Sequence, residues 1–426
     1  EIGVRLVGSE MCIRDRLRAS YGETGNDNIL DSDGDPDYYP YQTLYGLGYK
    51  NGSEAGAYFT VIANPSLKWE TQISTDIALE FGLFDCLTGT IEYFKKDSKD
   101  LLFDVSQPAS VGVTSIIQNI GKVTNSGVEI ELNYNAFKNK DWSVSVGANA
   151  TFVKNKIKNL PATMKENGYI SGSKKWLEGK SIYEFWLRQW HGVDPQTGDG
   201  LYVADVSKYN QGNIGTGDGN ITQSQFDEYK KTVVTIDGKE LTNSYTYAKY
   251  DFSGSSIPDV FGGFNVRVSY QNFDLAAVFS YQLGGQVLDT NYATMMSMTE
   301  FGYAQSPDLL KAWKQAGDIT EVPRIDNSAA HTTNIGQSYS TRWLTSSDYL
   351  NLRSVTIGYQ FPKAWLSKVM LKSARLNLTA ENLFMLKARQ GLNPMANYSG
   401  VTYNEYMPSR NITLGPVSCT HLTLPT

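Results

Sequence analysis

From Asn64 to Leu160 apolar and polar residues alternate over long runs. Thr75, Ile77, Leu79 and Phe81 share one parity; Asp76, Ala78 and Glu80 share the other. Leu87, Gly89, Ile91 and Tyr93 oppose Thr88, Thr90 and Glu92, and Val128, Ile130, Leu132 and Tyr134 oppose Glu129, Glu131 and Asn133. Trp142, Val144, Val146, Ala148, Ala150 and Phe152 oppose Ser143, Ser145, Asn149 and Thr151. A period of two over this length means strands with one oily and one polar face. Each run can cross a bilayer when tilted, which takes about 9–11 residues. Tight turns at Asp85-Cys86 and Lys138–Asp141 alternate with longer polar loops, the asymmetry of a transmembrane barrel. Periodicity alone establishes only a sheet with one oily face. A secreted sugar-binding β-sandwich fits it too, with shorter strands near 5–6 residues and the oily face hidden in a core.

The chain has 426 residues, a net charge of −6 and 41% hydrophobic residues, with 38 glycines and 27 tyrosines. That suits a turn-rich all-β protein. No apolar run exceeds Leu275–Phe279, so no transmembrane helix is predicted. Barrel strands leave no such run, because their apolar residues are interleaved. The mild acidity and the lack of a basic run argue against a nucleic-acid partner. For catalysis the sequence holds no G-x-S-x-G, HExxH, Walker loop or CxxC. A Ser–His–Asp site would need His191 or His331, and neither has local support. No catalytic residue, cofactor or metal site is expected. Glu129 and Glu131, on the polar parity, read as solvated lumen residues.

Several stretches carry a family resemblance. Asn64-Pro65, Leu67-Lys68-Trp69-Glu70, Phe81-Gly82-Leu83-Phe84, Tyr93, Asp100-Leu101-Leu102, Asn119-Ile120-Gly121, Val123 and Asn125-Ser126-Gly127-Val128-Glu129 follow one another in order and spacing. Further on come Gly192-Val193-Asp194-Pro195-Gln196-Thr197-Gly198 with Tyr202, then Pro258 with Gly262-Gly263-Phe264. Asp348-Tyr349-Leu350-Asn351-Leu352-Arg353 to Gly358-Tyr359-Gln360-Phe361-Pro362 and Glu381-Asn382-Leu383 complete the set. The whole resembles the barrel of SusC/RagA-type TonB-linked outer-membrane proteins of Bacteroidota.

The resemblance implies an all-β antiparallel transmembrane barrel, here a partial one of about a dozen strands. The large closed transporters of this kind have about 22. It implies cell outer-membrane localisation and import of glycan oligosaccharides or peptides. The implied partners are a SusD-like surface lipoprotein as lid, outer-membrane lipid, and the TonB complex, reached through a plug region outside this sequence. A non-transporting outer-membrane barrel, an adhesin or passive pore, stays open as the alternative. The two ends, 1–16 and 417–426, resemble translated sequencing-adapter sequence and are expected to be non-native. Residues 17–416 are then the barrel sequence, with 205–256 a polar loop insertion. Removing the ends removes Cys12 and Cys419 and leaves Cys86 alone in a hairpin turn, so no disulfide framework is expected.

Local expectations follow as well. The Gly192–Tyr202 stretch reads as a structural turn between strands, with His191 a strand-end residue. Asp31, Asp33, Asp35 and Asp37 invite a calcium reading, but Pro36 and Gln42 fall where that loop needs Gly and an acid. Around Gly219 the corresponding places hold Ile214, Thr216 and Gln225, so no metal is expected there either. Asp237-Gly238 predicts a hairpin, Ser306–Gln315 the one helix-like piece, and the parity change between Leu352 and Val355 a β-bulge. Most aromatics near strand ends, among them Trp69, Trp142, Trp186, Trp190, Tyr270, Tyr281, Trp343 and Tyr359, are expected in an interfacial girdle. The loop tyrosines Tyr38, Tyr39, Tyr41 and Tyr58 are the candidates for substrate or lid contact.

Overall fold

The structure is a computed structural model. It describes residues 15–419 apart from 28, 30–35, 37, 40, 107–109, 111, 114, 216–218, 298–301, 303, 327, 329–330, 332–338, 368–370 and 404. Asp31, Asp33, Asp35, Asp37 and Thr216 lie outside the described residues, as do Cys12 and His421.

The alternating runs form one 11-stranded sheet. Its path is β1 (Arg16–Asn26), β2 (Glu70–Leu83), β3 (Leu87–Lys99), β4 (Lys122–Lys138), β5 (Trp142–Asn159), β6 (Val260–Tyr270), β7 (Phe273–Leu283), β8 (Tyr349–Gln360), β9 (Ser373–Glu381) and β10 (Asn411–Cys419). Neighbours in the chain order are antiparallel neighbours in the sheet throughout. The short strand Met385–Lys387 pairs with the start of β8.

One end of the sheet carries the tight connections. Phe84 and Asp85 both have φ near +54° and +53°, and the Cys86 amide donates to Leu83 O at 3.3 Å. That left-handed pair matches the strand twist, as in primed hairpin turns. At the β4–β5 turn the Asn139 carboxamide oxygen accepts from the amides of Asp141 (2.9 Å) and Trp142 (2.7 Å). Gln271 turns β6 into β7 with φ +50°. The 361–372 connection, with the short helix Lys363–Leu366, also lies at this end; the opposite end carries the five longest connections, 27–69, 100–121, 160–259, 284–348 and 382–410. In outer-membrane barrels the short turns face the periplasm and the long loops the outside.

The register fixes the faces. Ile77, Leu79, Ile91, Tyr93, Leu132, Tyr134, Val146, Phe152, Leu275 and Ile357 are exposed on the oily parity. A contiguous apolar surface of this extent on a soluble monomer would be an anomaly; against lipid it is the expected belt. The sandwich reading fails here, because the oily face is not in a core and the strands run 9 to 18 residues. On the polar parity Arg18 reaches Glu80 (3.3 Å) and Glu92 (2.9 Å) across three strands. Arg375 of β9 bonds Asp274 of β7 at 2.5 Å, passing over Gly358 of β8. A Cβ at Gly358 would lie 2.3 Å from that guanidinium, so the bare backbone there is what lets the pair span a strand. The bulge is present: Val278 faces Ser354 and Phe279 faces Leu352, with Arg353 the extra residue.

Trp142 and Tyr270 (rings 4.3 Å apart) and Phe273 and Tyr359 (4.6 Å) sit at the tight-turn rim, where a girdle belongs. Trp186, Trp190 and Trp343 do not. They lie in the long connections, where Trp343 is buried and Trp186 packs on Phe252. Trp186 and Trp190 stand in strands of five and four residues and Trp343 ends a 3-10 helix, all outside the membrane-length sheet, a correction to the sequence reading.

The helix expectation also needs correcting. Ser306 does cap a turn, accepting from the Asp308 amide, but the element is a 3-10 helix of five residues, Pro307–Lys311. Among the described residues the longest helix is α1 (Gln223–Thr232), inside the polar insertion. Its start is a capping box: the Gln225 amide donates to Thr222 Oγ1 (3.2 Å), and the Thr222 amide to Gln225 Oε1 (2.8 Å). Gln225, weighed as a calcium ligand, is engaged in that cap. The Asp237-Gly238 hairpin forms between Val233–Ile236 and Lys239–Thr242. Among the described residues no helix is long and apolar enough to cross a membrane.

Candidate functional site: the loop-end layer

Three of the long connections pack into one body above the sheet. In the strand Glu184–Arg188, Phe185 and Leu187 point down and are fully buried. They meet Leu288, Ala293 and Met296 from the 284–348 connection, Trp343, and Val401 from the 382–410 connection. A second cluster closes the insertion: Tyr209, Tyr229, Tyr247, Ala204 and Ile221. Burial with Glu240 and Glu228 alongside pushes the Tyr229 and Tyr247 phenols up to about 12, so both stay protonated donors. The Gly192–Tyr202 stretch is the turn of a hairpin, Val193 opposite Gly200, and exposed His191 sits in its first strand.

Alternation in Glu184–Arg188 turns Trp186 and Arg188 to the other face. There the ring of Trp186 has Lys175 Nζ 4.1 Å from its centroid and Phe252 4.9 Å away. Arg188 lies over Tyr250 (4.6 Å) and Tyr245 (4.8 Å), and Lys180 over Phe252 (4.6 Å). Trp186 and Tyr250 stack nearly parallel, 10° apart. Interleaved cations and ring faces can stack flat apolar faces of a ligand while neutralising its acidic groups.

The four tyrosines singled out from sequence are all exposed: Tyr38 76%, Tyr39 57%, Tyr41 51% and Tyr58 46%. Tyr58 stands on a hairpin, Leu44–Asn51 with Glu54–Val61, in the first long connection. Its ring meets Tyr49 edge-on at 4.4 Å, and the two hydroxyls are 3.2 Å apart. Tyr45 and Phe59 pack beside them at 4.8 Å. The sequence reading missed Tyr45, Tyr49 and Phe59, although pairing across a hairpin would have placed them with Tyr58.

Two buried polar nodes hold the layer. Asp289 accepts from the Tyr292 amide (2.9 Å) and Thr402 Oγ1 (3.2 Å) and pairs with Arg389, whose guanidinium covers the Tyr292 ring at 3.6 Å. Lys174, almost fully buried, donates to Tyr183 O (2.8 Å) and Ser256 Oγ (3.2 Å) and sits 3.5 Å from the Phe185 ring centroid. Ser256 in turn donates to Tyr398 O.

Burial pulls Lys174 down to about 7; unfolded, a lysine titrates near ~10.4. Between those values the unfolded chain binds more protons, so stability rises with pH from about 7 to about 10.4 and is lowest below 7. The melting temperature of the loop layer should therefore climb between pH 7 and 9. Lys174→Met should flatten that climb; an unchanged slope would remove Lys174 as its cause.

His331 Nε2 donates to Arg324 O (2.8 Å), with Asp199 3.9 Å from Nδ1 and Arg324 bonded to that same carboxylate. This is a packing anchor rather than a nucleophile–base pair. Among the described residues no group of three His, Cys, Asp or Glu is placed to hold a metal ion.

Comparison with known proteins follows the same lines. The family description "TonB dependent receptor-like, beta-barrel" matches residues 14–213. TonB-dependent receptor P3 of Formosa agariphila is 29% identical over 94% of this chain. TonB-dependent receptor SusC of Bacteroides thetaiotaomicron is 25% identical, also over 94%. The chain spans 39% and 37% of those two relatives. The RagAB peptide importer in its closed-closed state superposes with a TM-score of 0.71 at 25% identity, covering 94% of this chain and 40% of that one. An oily belt, short turns opposite long loops, and matches running almost end to end thus make this outer-membrane β-barrel sequence similar to the TonB-dependent receptors of the SusC/RagA kind.

Proposed function

We propose that this chain is barrel sequence of a TonB-dependent importer that takes up glycan oligosaccharides or peptides, paired with a SusD-like surface lipoprotein. The carrying observation is the segregation of the five longest connections to one end of a lipid-facing sheet, where three of them build a folded layer. The relatives' names support the same reading. The work is transport, with no chemistry on the cargo. Tyr38, Tyr39, Tyr41 and Tyr58 are proposed cargo or lid contacts, and the Trp186 face a further one. Residues 17–416 are the barrel portion and 205–256 its outward insertion; the stretches 1–16 and 417–426 are proposed as foreign to the gene, which sequencing the source DNA tests.

The test is uptake by cells carrying the receptor, using labelled oligosaccharide and peptide pools with and without TonB. Energy-dependent uptake of one pool is expected. Trp186→Ala and Tyr58→Ala should each weaken cargo or lid binding roughly 3- to 10-fold, from lost stacking worth about 0.5–1.5 kcal/mol. Uptake that persists without TonB would favour the passive pore, and cell adhesion without uptake the adhesin.

A further inference from the structure

The sequence has no basic run, but the fold assembles a basic patch. Along β5 the even residues Trp142 to Phe152 face lipid. The same parity continues into Lys154, Lys156 and Lys158, all exposed. The odd residues confirm the direction. Asn155 turns inward to accept from Ser181 Oγ and the Ile182 amide, both at 2.9 Å, and Ile157 is buried at 1%. Neighbouring strands add to the row: Lys95 and Lys154 flank Ser126, and Asp97 and Lys156 flank Thr124, with Lys122 beyond. Asp97 engages Lys95 (3.2 Å) and Lys122 (3.6 Å). Among the described residues Lys154, Lys156 and Lys158 form no ion pair.

The height of this patch matters. Ten residue steps separate Trp142 from Phe152, roughly 33 Å of strand. At a tilt of about 40° that is a belt about 25 Å tall, the lipid-facing height of outer-membrane barrels. Tyr93, Val128 and Phe152 form its upper rim. The lysines begin one row above, on the outward face, at the long-loop end. That is the head-group level of the outer leaflet, continuous with the lipid belt, and its charge is opposite to that of phosphate.

We propose that Lys154, Lys156 and Lys158, with Lys95 and Lys122, bind the phosphates of phosphorylated lipid in the outer leaflet. This rests on the assignment of the tight turns to the periplasm and not on the identity of the cargo. Each lysine near an anionic lipid surface contributes roughly a fivefold gain in binding, so removing three should cost roughly a hundredfold. The test uses the receptor purified from outer membranes and moved into nanodiscs of zwitterionic lipid. These are doped with either a bis-phosphorylated glycolipid or its dephosphorylated form, and bound lipid is counted by native mass spectrometry. Wild type should retain the phosphorylated form selectively and lose it at high salt. The K154Q/K156Q/K158Q variant should lose it, and K154R/K156R/K158R should keep it. If the wild type holds both lipids equally, or the glutamine variant retains the phosphorylated one, the site is refuted. Loss of acidic-cargo binding with lipid binding intact would also refute it. None of these readouts depends on transport, so the importer reading stands or falls separately.

Discussion

Residues 15–419 expressed by themselves should not yield a heat-modifiable, protease-resistant barrel. Among the described residues β1 pairs with β2 alone and β10 with β9 alone, so the sheet they form has two open edges. Those strands are 11 and 9 residues long, and alternate backbone groups on the outer side of each have no ladder partner. In hydrocarbon an unsatisfied amide or carbonyl costs several kcal/mol. Even about five per edge would total tens of kcal/mol, against a usual net stability of about 5–15. Joining the chain to strands that pair with both edges should restore heat-modifiability and trypsin resistance. A compact, heat-modifiable band from the isolated chain would show that the edges find another partner.

The second large effect is at Asp289. Its carboxylate is 4% exposed and holds the first turn of the helix Thr290–Met295, Thr402 and Arg389 together. Asp289→Ala would strand the Arg389 charge in the layer and remove the cap. Arg389 keeps some contact with solvent, so the loss is that of hydrogen bonds to a charged group and a helix cap, about 2–3 kcal/mol. The loss should be local, freeing the 382–410 connection from the 284–348 connection while leaving the sheet intact. Faster amide exchange at Leu288–Met296 and Val401–Thr402, with β2–β5 unchanged, is the expected pattern. Adding Arg389→Met should recover part of the loss, because the orphan charge goes with it. A double variant as unstable as the sum of its parts would mean the two residues act independently.

The site was only half legible in the sequence. Tyr38, Tyr39, Tyr41 and Tyr58 could be picked out because exposed tyrosines in a polar loop have nothing to bury against. Trp186 could not, because a tryptophan near a strand end reads equally as girdle, core or binding face. What decides is the neighbouring strand: Tyr250 and Phe252 lie more than sixty positions away and arrive beside it only by pairing. α1 was signalled by Thr222 and Gln225, two residues that fit both a capping box and a failed calcium loop. Of the lysine patch, Lys154, Lys156 and Lys158 continue the parity of one strand, and only their union with Lys95 and Lys122 was hidden. Lys95, Lys122 and Lys154 are scattered in sequence and meet only through register.

The sequence by itself determined the strands, their oily and polar faces, the tight hairpin turns and the bulge at Arg353. Each of these is set by residues within a few positions of one another, where side-chain parity and turn sterics act. Tertiary structure alone decided which long connections share a core, where Asp289 and Lys174 are sealed from water, and which charges stand together above the lipid belt. Those outcomes depend on pairings across tens to hundreds of residues. No local pattern encodes them, because the energy that selects them comes from burial shared between distant segments.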